Sequence, residues 1–196
     1  CEGYASFHRG VILRPGELFD FGDVTLSRER RLHAQVVDST GRPLAQHRIH
    51  FFQTDGWSRP ENPARTYSST DAEGLASLLT GAQRQQWIVG GGNFGLQAVV
   101  WERGDQGNDD REIRLLAGSA VRILAAAPDG QARILWLLDS EGLLLAPRHH
   151  TQFGEWSVTL TPGSYLLRVE DLDRNFLATL DLRVPDGGGD ILVTLP

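Results

Sequence analysis

The chain has 196 residues, 40% hydrophobic and 22% charged, with a formal net charge of −6. That is long enough for one large domain or two small ones, and too acidic for a general nucleic-acid binder. Lysine and methionine are both absent, which excludes Schiff-base chemistry on lysine, a P-loop and a lysine–asparagine isopeptide crosslink, and no stretch reaches 18 apolar residues, so the chain holds no transmembrane helix.

Residue 1 is the sole cysteine. A single cysteine forms no intrachain disulfide, so the usual mark of an oxidising compartment is silent. A first-position cysteine in a chain without methionine is the arrangement left when a bacterial lipoprotein is cut before its acylated cysteine. The expectation is a covalent lipid on Cys1, with several acyl chains holding the protein to a membrane. A cut that happens to fall there is the other reading. Residues 1–23 then form an anchor segment that docks on the body, or else the tail of a lost repeat; the docking extension is the preferred reading.

From residue 24 onward the period is two. Leu32, Ala34 and Val36 alternate with His33 and Gln35; Trp156, Val158 and Leu160 with Glu155, Ser157 and Thr159; Tyr165, Leu167 and Val169 repeat the pattern, as do Phe176, Ala178, Leu180, Leu182 and Val184. Such alternation marks half-buried antiparallel strands. Turn clusters separate them: DSTGRP, TDGWSRPENP, TDAEG, GDQGNDD, PDG, DSEG, TPGS and PDGGGD. Only SLLTGAQRQQ offers a turn of helix. The pattern predicts an all-β protein of tandem Ig-like antiparallel sandwiches.

An internal echo divides the chain. Residues 12–26, ILRPGELFDFGDVTL, share with 182–195, LRVPDGGGDILVTL, a Leu-Arg, a Pro/Gly turn, a Gly-Asp and a closing Val-Thr-Leu, and EIRLLAGSAV at 112–121 is a shorter copy. This places a boundary near Ala117-Gly118, with a first sandwich over 24–117 and a second over 118–196.

Two stretches carry a family resemblance. Val36-Val37-Asp38-Ser39-Thr40-Gly41-Arg42-Pro43-Leu44 with Thr70-Asp71-Ala72-Glu73-Gly74 resembles the front half of a carboxypeptidase regulatory-like domain. Gly154 to Leu160, followed by Pro162-Gly163-Ser164-Tyr165-Leu166-Leu167-Arg168-Val169, resembles its back half. The resemblance implies an Ig-like, transthyretin-like sandwich in an envelope setting, without catalytic residues. On the residues themselves, Gly163 ahead of Tyr165 suits a strand entry with a tyrosine anchoring its corner.

Motifs for chemistry are weak. Gly90-x-Gly92-x-x-Gly95, with Asp110 twenty residues past Gly90, matches a dinucleotide fingerprint in spacing. The segment after it is β-branched and short, so a glycine-rich hairpin is expected and no nucleotide. His47 with His50, and His149 with His150, diverge on a strand and make no zinc pair. Asp171, Asp173 and Asn175, and Asn108, Asp109 and Asp110, offer oxygens without an EF-hand frame, leaving at most adventitious calcium. No nucleophile elbow or placed carboxylate pair points to an enzyme; neither metal nor cofactor is expected.

Binding remains. Trp57 with Arg59 in the long loop is the leading partner-contact pair, since Trp and Arg anchor interfaces; Trp57 as a cap on the core is the alternative. Phe94, exposed at a hairpin tip, and the His149-His150 edge come second. The expectation is a non-enzymatic, lipid-anchored bacterial envelope protein, on its periplasmic or outer face, that holds other envelope or membrane-complex proteins. Two alternatives stand beside it: a filament or surface-layer subunit using residues 1–23 for strand addition, and a carbohydrate-binding module built on Trp57.

Overall fold

The structure, a computed structural model, describes Leu18, Asp20 and residues 30–53, 66–80, 84–102 and 110–196. Fourteen strands and one turn of 3₁₀ helix (Thr151–Phe153) make up the described residues. The first seven strands are β1 (Arg30–Val37), β2 (Arg48–Gln53), β3 (Thr66–Ser69), β4 (Leu75–Thr80), β5 (Arg84–Gly91), β6 (Phe94–Glu102) and β7 (Asp110–Arg114). The second seven are β8 (Ser119–Ala126), β9 (Ile134–Leu138), β10 (Leu144–His150), β11 (Trp156–Leu160), β12 (Gly163–Glu170), β13 (Phe176–Val184) and β14 (Gly189–Thr194).

The two sets repeat one topology. Sheets β4-β1-β7 and β3-β2-β5-β6 make the first sandwich; β11-β8-β14 and β10-β9-β12-β13 make the second, so each strand has its counterpart seven places on. The protein is all-β with tandem sandwiches, as its period-two patterning requires. One pairing in each departs from antiparallel: β7 runs parallel to β1, and β14 to β8. The last strand crosses over from the other sheet, so it meets the first strand in the same direction. Each closing strand ends alike, with Leu115 N donating to Val37 O at 2.8 Å and Leu195 N donating to Ala126 O at 2.9 Å.

In the segment read as a helical turn the described residues are strand, 77–80 closing β4 and 84–86 opening β5. Ala76, Leu78 and Thr80 of β4 face inward while Leu75, Ser77 and Leu79 face out, a period that a helix cannot present to a flat core.

The two cores differ in content. The first holds Trp87, buried between Phe51 at 4.7 Å and Trp101 at 4.2 Å between ring centroids, with Leu32, Val36, Ile49 and Val89 around them. The second is aliphatic: Val121, Ile123, Leu137, Leu145, Leu160 and Leu182, continued by Leu135, Leu167 and Leu195. Tyr165 closes one end, its hydroxyl donating to Thr161 O at 2.8 Å, which is the tyrosine corner that Gly163-Ser164-Tyr165 foretold.

One turn design recurs along the chain. In Asp38–Arg42, Asp71–Leu75 and Asp139–Leu143 the aspartate Oδ1 accepts the backbone N–H two and four residues on, and a glycine in fourth place donates to the aspartate carbonyl. That glycine sits at positive φ in each: 86° at Gly41, 74° at Gly74 and 84° at Gly142. Asp171–Asn175 repeats the bond to the N–H four residues on and the bond to the aspartate carbonyl, with Arg174 in the glycine place at φ 66°.

Candidate functional site: the junction and the outer faces

The glycine-rich stretch is where the sandwiches meet. Residues 84–102 form a hairpin with a bulge between Val89 and Gly91, and the residues after Gly95 continue as strand β6, so this glycine stretch offers no helix N-terminus to a pyrophosphate. β5 is buried on both faces from Gln85 to Val89. Trp87 and Val89 face the first core; on the other side β6 sends Leu96 and Ala98 against the second core. The second sandwich thus sets its open β10/β11 side on the outer face of β5 and β6.

Glycine makes that approach feasible. A Cβ on Gly95 would lie 2.7 Å from Thr161 N, and one on Gly118 would lie 2.5 Å from Gly95 N. Those contacts are backbone, so they cannot swing aside. Hydrogen bonds fix the register: Gly95 N donates to Leu116 O at 3.1 Å, Gly118 N to Asn93 O at 2.9 Å, Thr159 Oγ1 to Gly92 O at 3.1 Å, and Gln86 Nε2 to Leu144 O at 2.6 Å.

Phe94 is half-buried rather than exposed at a tip. It packs on the first core, bridges to Ala117, and meets the His47 ring edge-on at 5.7 Å. The linker folds back over the start of β6, and this the hairpin sequence alone did not reveal. Burial pushes the His47 imidazole below its usual value, with the Gly90 backbone opposing. His47 precedes β2 and His50 lies within it, opposite Tyr67. His149 stacks on Trp156 at 5.3 Å and 6° and is hydrogen-bonded to Gly154 O at 3.0 Å, while its neighbour His150 pairs with Ile134 in the ladder. Adjacent on β10, the two histidines are half-buried and part of the fold.

Trp57, Arg59, Asn108, Asp109 and Cys1 lie outside the described residues. Among the described residues no group of three or more His, Cys, Asp or Glu is placed to hold a metal, and no helix is long and apolar enough to cross a membrane. Asp171, read as a calcium oxygen, is committed to its turn: Asn175 N and Nδ2 both donate to its carboxylate at 2.8 Å, and the Asn175 side chain leads the causes that hold its pKa below the usual range. Asp38 is held down likewise, first by the Thr40 hydroxyl, and Asp190 by the Arg122 guanidinium. An open, shallow cleft between the sandwiches is lined by Arg84, Val100, Glu102, Glu141 and Leu143, with Arg84 and Glu102 3.6 Å apart.

The outer face of β9, β12 and β13 carries a cluster that the sequence reading missed. Glu170 is buried there, accepting from Trp136 Nε1 at 3.1 Å and from Arg168 Nε at 2.9 Å. The Arg168 guanidinium lies 5.1 Å from the Phe176 ring centroid. Phe176 is 54% exposed, with Leu172 at 53% and Leu177 at 39% in and beside the same turn. The available signal was Leu-Asp-Arg-Asn-Phe-Leu, a turn with apolar residues on both sides.

No family model and no curated protein matches the chain. Among solved structures, it is similar to the Bacillus anthracis TIE protein, with 12% identity and a TM-score of 0.37, over 88% of this chain and 34% of that one. The chain thus spans about a third of that protein. It is also similar to the shaft pilin SpaA of Lactobacillus rhamnosus GG, with 10% identity and a TM-score of 0.33, over 86% of this chain and all of that one. A DUF3823 family protein from Parabacteroides merdae matches with 15% identity and a TM-score of 0.34, over 80% of this chain and all of that one.

Proposed function

We propose that the protein is a non-catalytic envelope lipoprotein, built as a pair of carboxypeptidase regulatory-like sandwiches, that holds other envelope or membrane-complex proteins. The observation that carries this reading is the outer-face cluster: Phe176, Leu172 and Leu177 exposed together, with Arg168 braced behind them by a buried carboxylate. Rings and arginine preset in this way are what protein interfaces draw on, and exposed leucine is tolerated where a partner covers it. The Trp57–Arg59 loop is a second contact on the same reading, and the acylated Cys1 supplies the membrane attachment.

The test is capture from the native membrane with the full chain as bait. Leu172→Ala with Phe176→Ala weakens partner association by about 2 kcal/mol or more and leaves the melting temperature nearly unchanged, since both side chains are more than half exposed. Trp57→Ala with Arg59→Ala is the companion variant. Capture that is identical for wild type and both double variants sinks the reading. The same extract reports on the anchor: an intact mass showing an unmodified Cys1 removes the lipoprotein part.

A further inference from the structure

The sixth strand of each sandwich is an edge, and the two edges are treated differently. In the first sandwich the β6 edge is covered along its length. Its start takes the linker, through the Phe94–Ala117 bridge and Gly95 N to Leu116 O. Further along, the Val100 carbonyl accepts from Arg111 Nη1 at 2.7 Å and the Glu102 carbonyl from Arg30 Nη1 at 3.1 Å. Arg111 also lies 5.0 Å from the Trp101 ring centroid and seals the gap between β6 and β7. Covering an edge in this way is how sandwiches avoid adding strands.

β13 has none of this among the described residues. Four residues before the closing leucine, Arg111 gives way to Ile191. Among the described residues no side chain caps a β13 carbonyl, and β12 is the one strand paired to it. The gap between β13 and β14 is lined by half-buried Leu180, Ile191 and Val193, which pack on the core from one side only. β13 is also nine residues long, among the longest strands here.

The chemistry along that edge is self-complementary. Asp181 and Arg183 point to the same outer face, both exposed, and neither has an ion pair among the described residues. Two strands laid antiparallel about Leu182 would set each Asp181 directly opposite the partner's Arg183. Leu180 would face the partner's Val184 over the open gap. Opposite charges facing across a strand pair are favourable, and reversing one makes two like-charge contacts in a two-fold dimer.

We infer that β13 is a self-association edge, whose partner is β13 of a second copy of this chain, joining two four-stranded sheets into one of eight strands. This goes beyond the scaffolding role and does not depend on it. It differs from addition of residues 1–23 as a strand, which would leave Asp181 and Arg183 without reciprocal partners.

The experiment is sedimentation equilibrium of the full chain and of Asp181→Arg, Arg183→Asp and the double exchange. Wild type shows a monomer–dimer equilibrium. Each single reversal weakens dimerisation at least about tenfold, since two pairs turn from attractive to repulsive together. The double exchange restores it to within about threefold. Melting temperature is the folding control and stays level, because both residues are exposed and unpaired. A wild type that remains monomeric at several hundred micromolar overturns the proposal, as does a dimer indifferent to the single reversals. So does a dimer that the double exchange fails to restore. Loss of the dimer on removing residues 1–23, with no response to the reversals, assigns the contact to strand addition and also overturns it.

Discussion

The two sandwiches share a strand order and divide the work of stability differently. The first concentrates its core in Phe51, Trp87 and Trp101, and has Thr80 Oγ1 and Gln85 Oε1 3.2 Å apart inside it. The second spreads its core over leucines and closes with Tyr165 in the place that Gln85 occupies. The first is also covered on one outer face by its neighbour, whereas the matching face of the second stands in solvent with Thr179, Asp181 and Arg168 where the first has Ala98, Val100 and Ile88. Topology here is inherited twice, and surface chemistry is set by what each copy must touch.

The sharpest way to break this contrast is to empty each core in turn. Trp87→Ala removes the ring that both Phe51 and Trp101 pack on and costs about 3–5 kcal/mol. Leu167→Ala, in the aliphatic core, costs about 2–4 kcal/mol, because smaller neighbours close part of the gap. Denaturant melts followed by tryptophan fluorescence and by proteolysis would rank them. Equal losses would mean that the aromatic cluster carries no special share. The comparison is internally controlled, since both side chains are fully buried on the fifth strand of their sandwich.

Next in size is the junction. Gly118→Val places carbon within 2.5 Å of Gly95 N and within 2.7 Å of Gly95 Cα. The linker must then lift off β6, with loss of Gly118 N to Asn93 O and of the burial of Leu96 and Ala98. We expect a destabilisation of about 2–3 kcal/mol, typical of overpacking against a backbone that cannot yield. Limited proteolysis should show new cleavage between residues 115 and 119. A variant as resistant as wild type would mean that the two bodies hold together without the close approach.

Much of this was legible in the sequence, and the rest was not for identifiable reasons. Alternation gave the strands, because a half-buried strand has to repeat every two residues. Clusters such as DSTGRP, TDAEG and DSEG marked the turns, because one carboxylate oxygen and one positive φ are what those turns need. The glycines at 90, 92 and 95 could be stripped of their nucleotide reading for want of a helix, yet what they serve was invisible. A glycine records that something approaches, and its identity does not say what. The same limit hid the placement of Phe94, which depends on a linker more than twenty residues on. The outer-face cluster of Trp136, Arg168, Glu170 and Phe176 draws on three strands, so no local window contains it. His149 and His150 looked like a surface pair because Trp156, which stacks on the first, comes from the other sheet.

The smallest effect tests the turn design itself, and two turns of the second sandwich supply the contrast. Gly142 in the β9–β10 turn has φ 84°, and a Cβ there would meet nothing within 4 Å. Gly142→Ala therefore introduces no clash, and its cost of about 1 kcal/mol is conformational: alanine resists the left-handed region that Asp139 and Leu143 impose. Arg174 already bears that strain at φ 66° in the β12–β13 turn. Arg174→Gly relieves it, while the freer unfolded chain and the loss of the arginine's own contacts offset part of the gain. The balance is a stabilisation of about 0.5 kcal/mol, read as a rise in melting temperature. The two substitutions must move in opposite directions if one geometry governs all four turns. A fall in melting temperature on Arg174→Gly would show that this turn is held by the arginine side chain, and that the last hairpin, which carries the exposed cluster, is shaped by contacts rather than by its backbone.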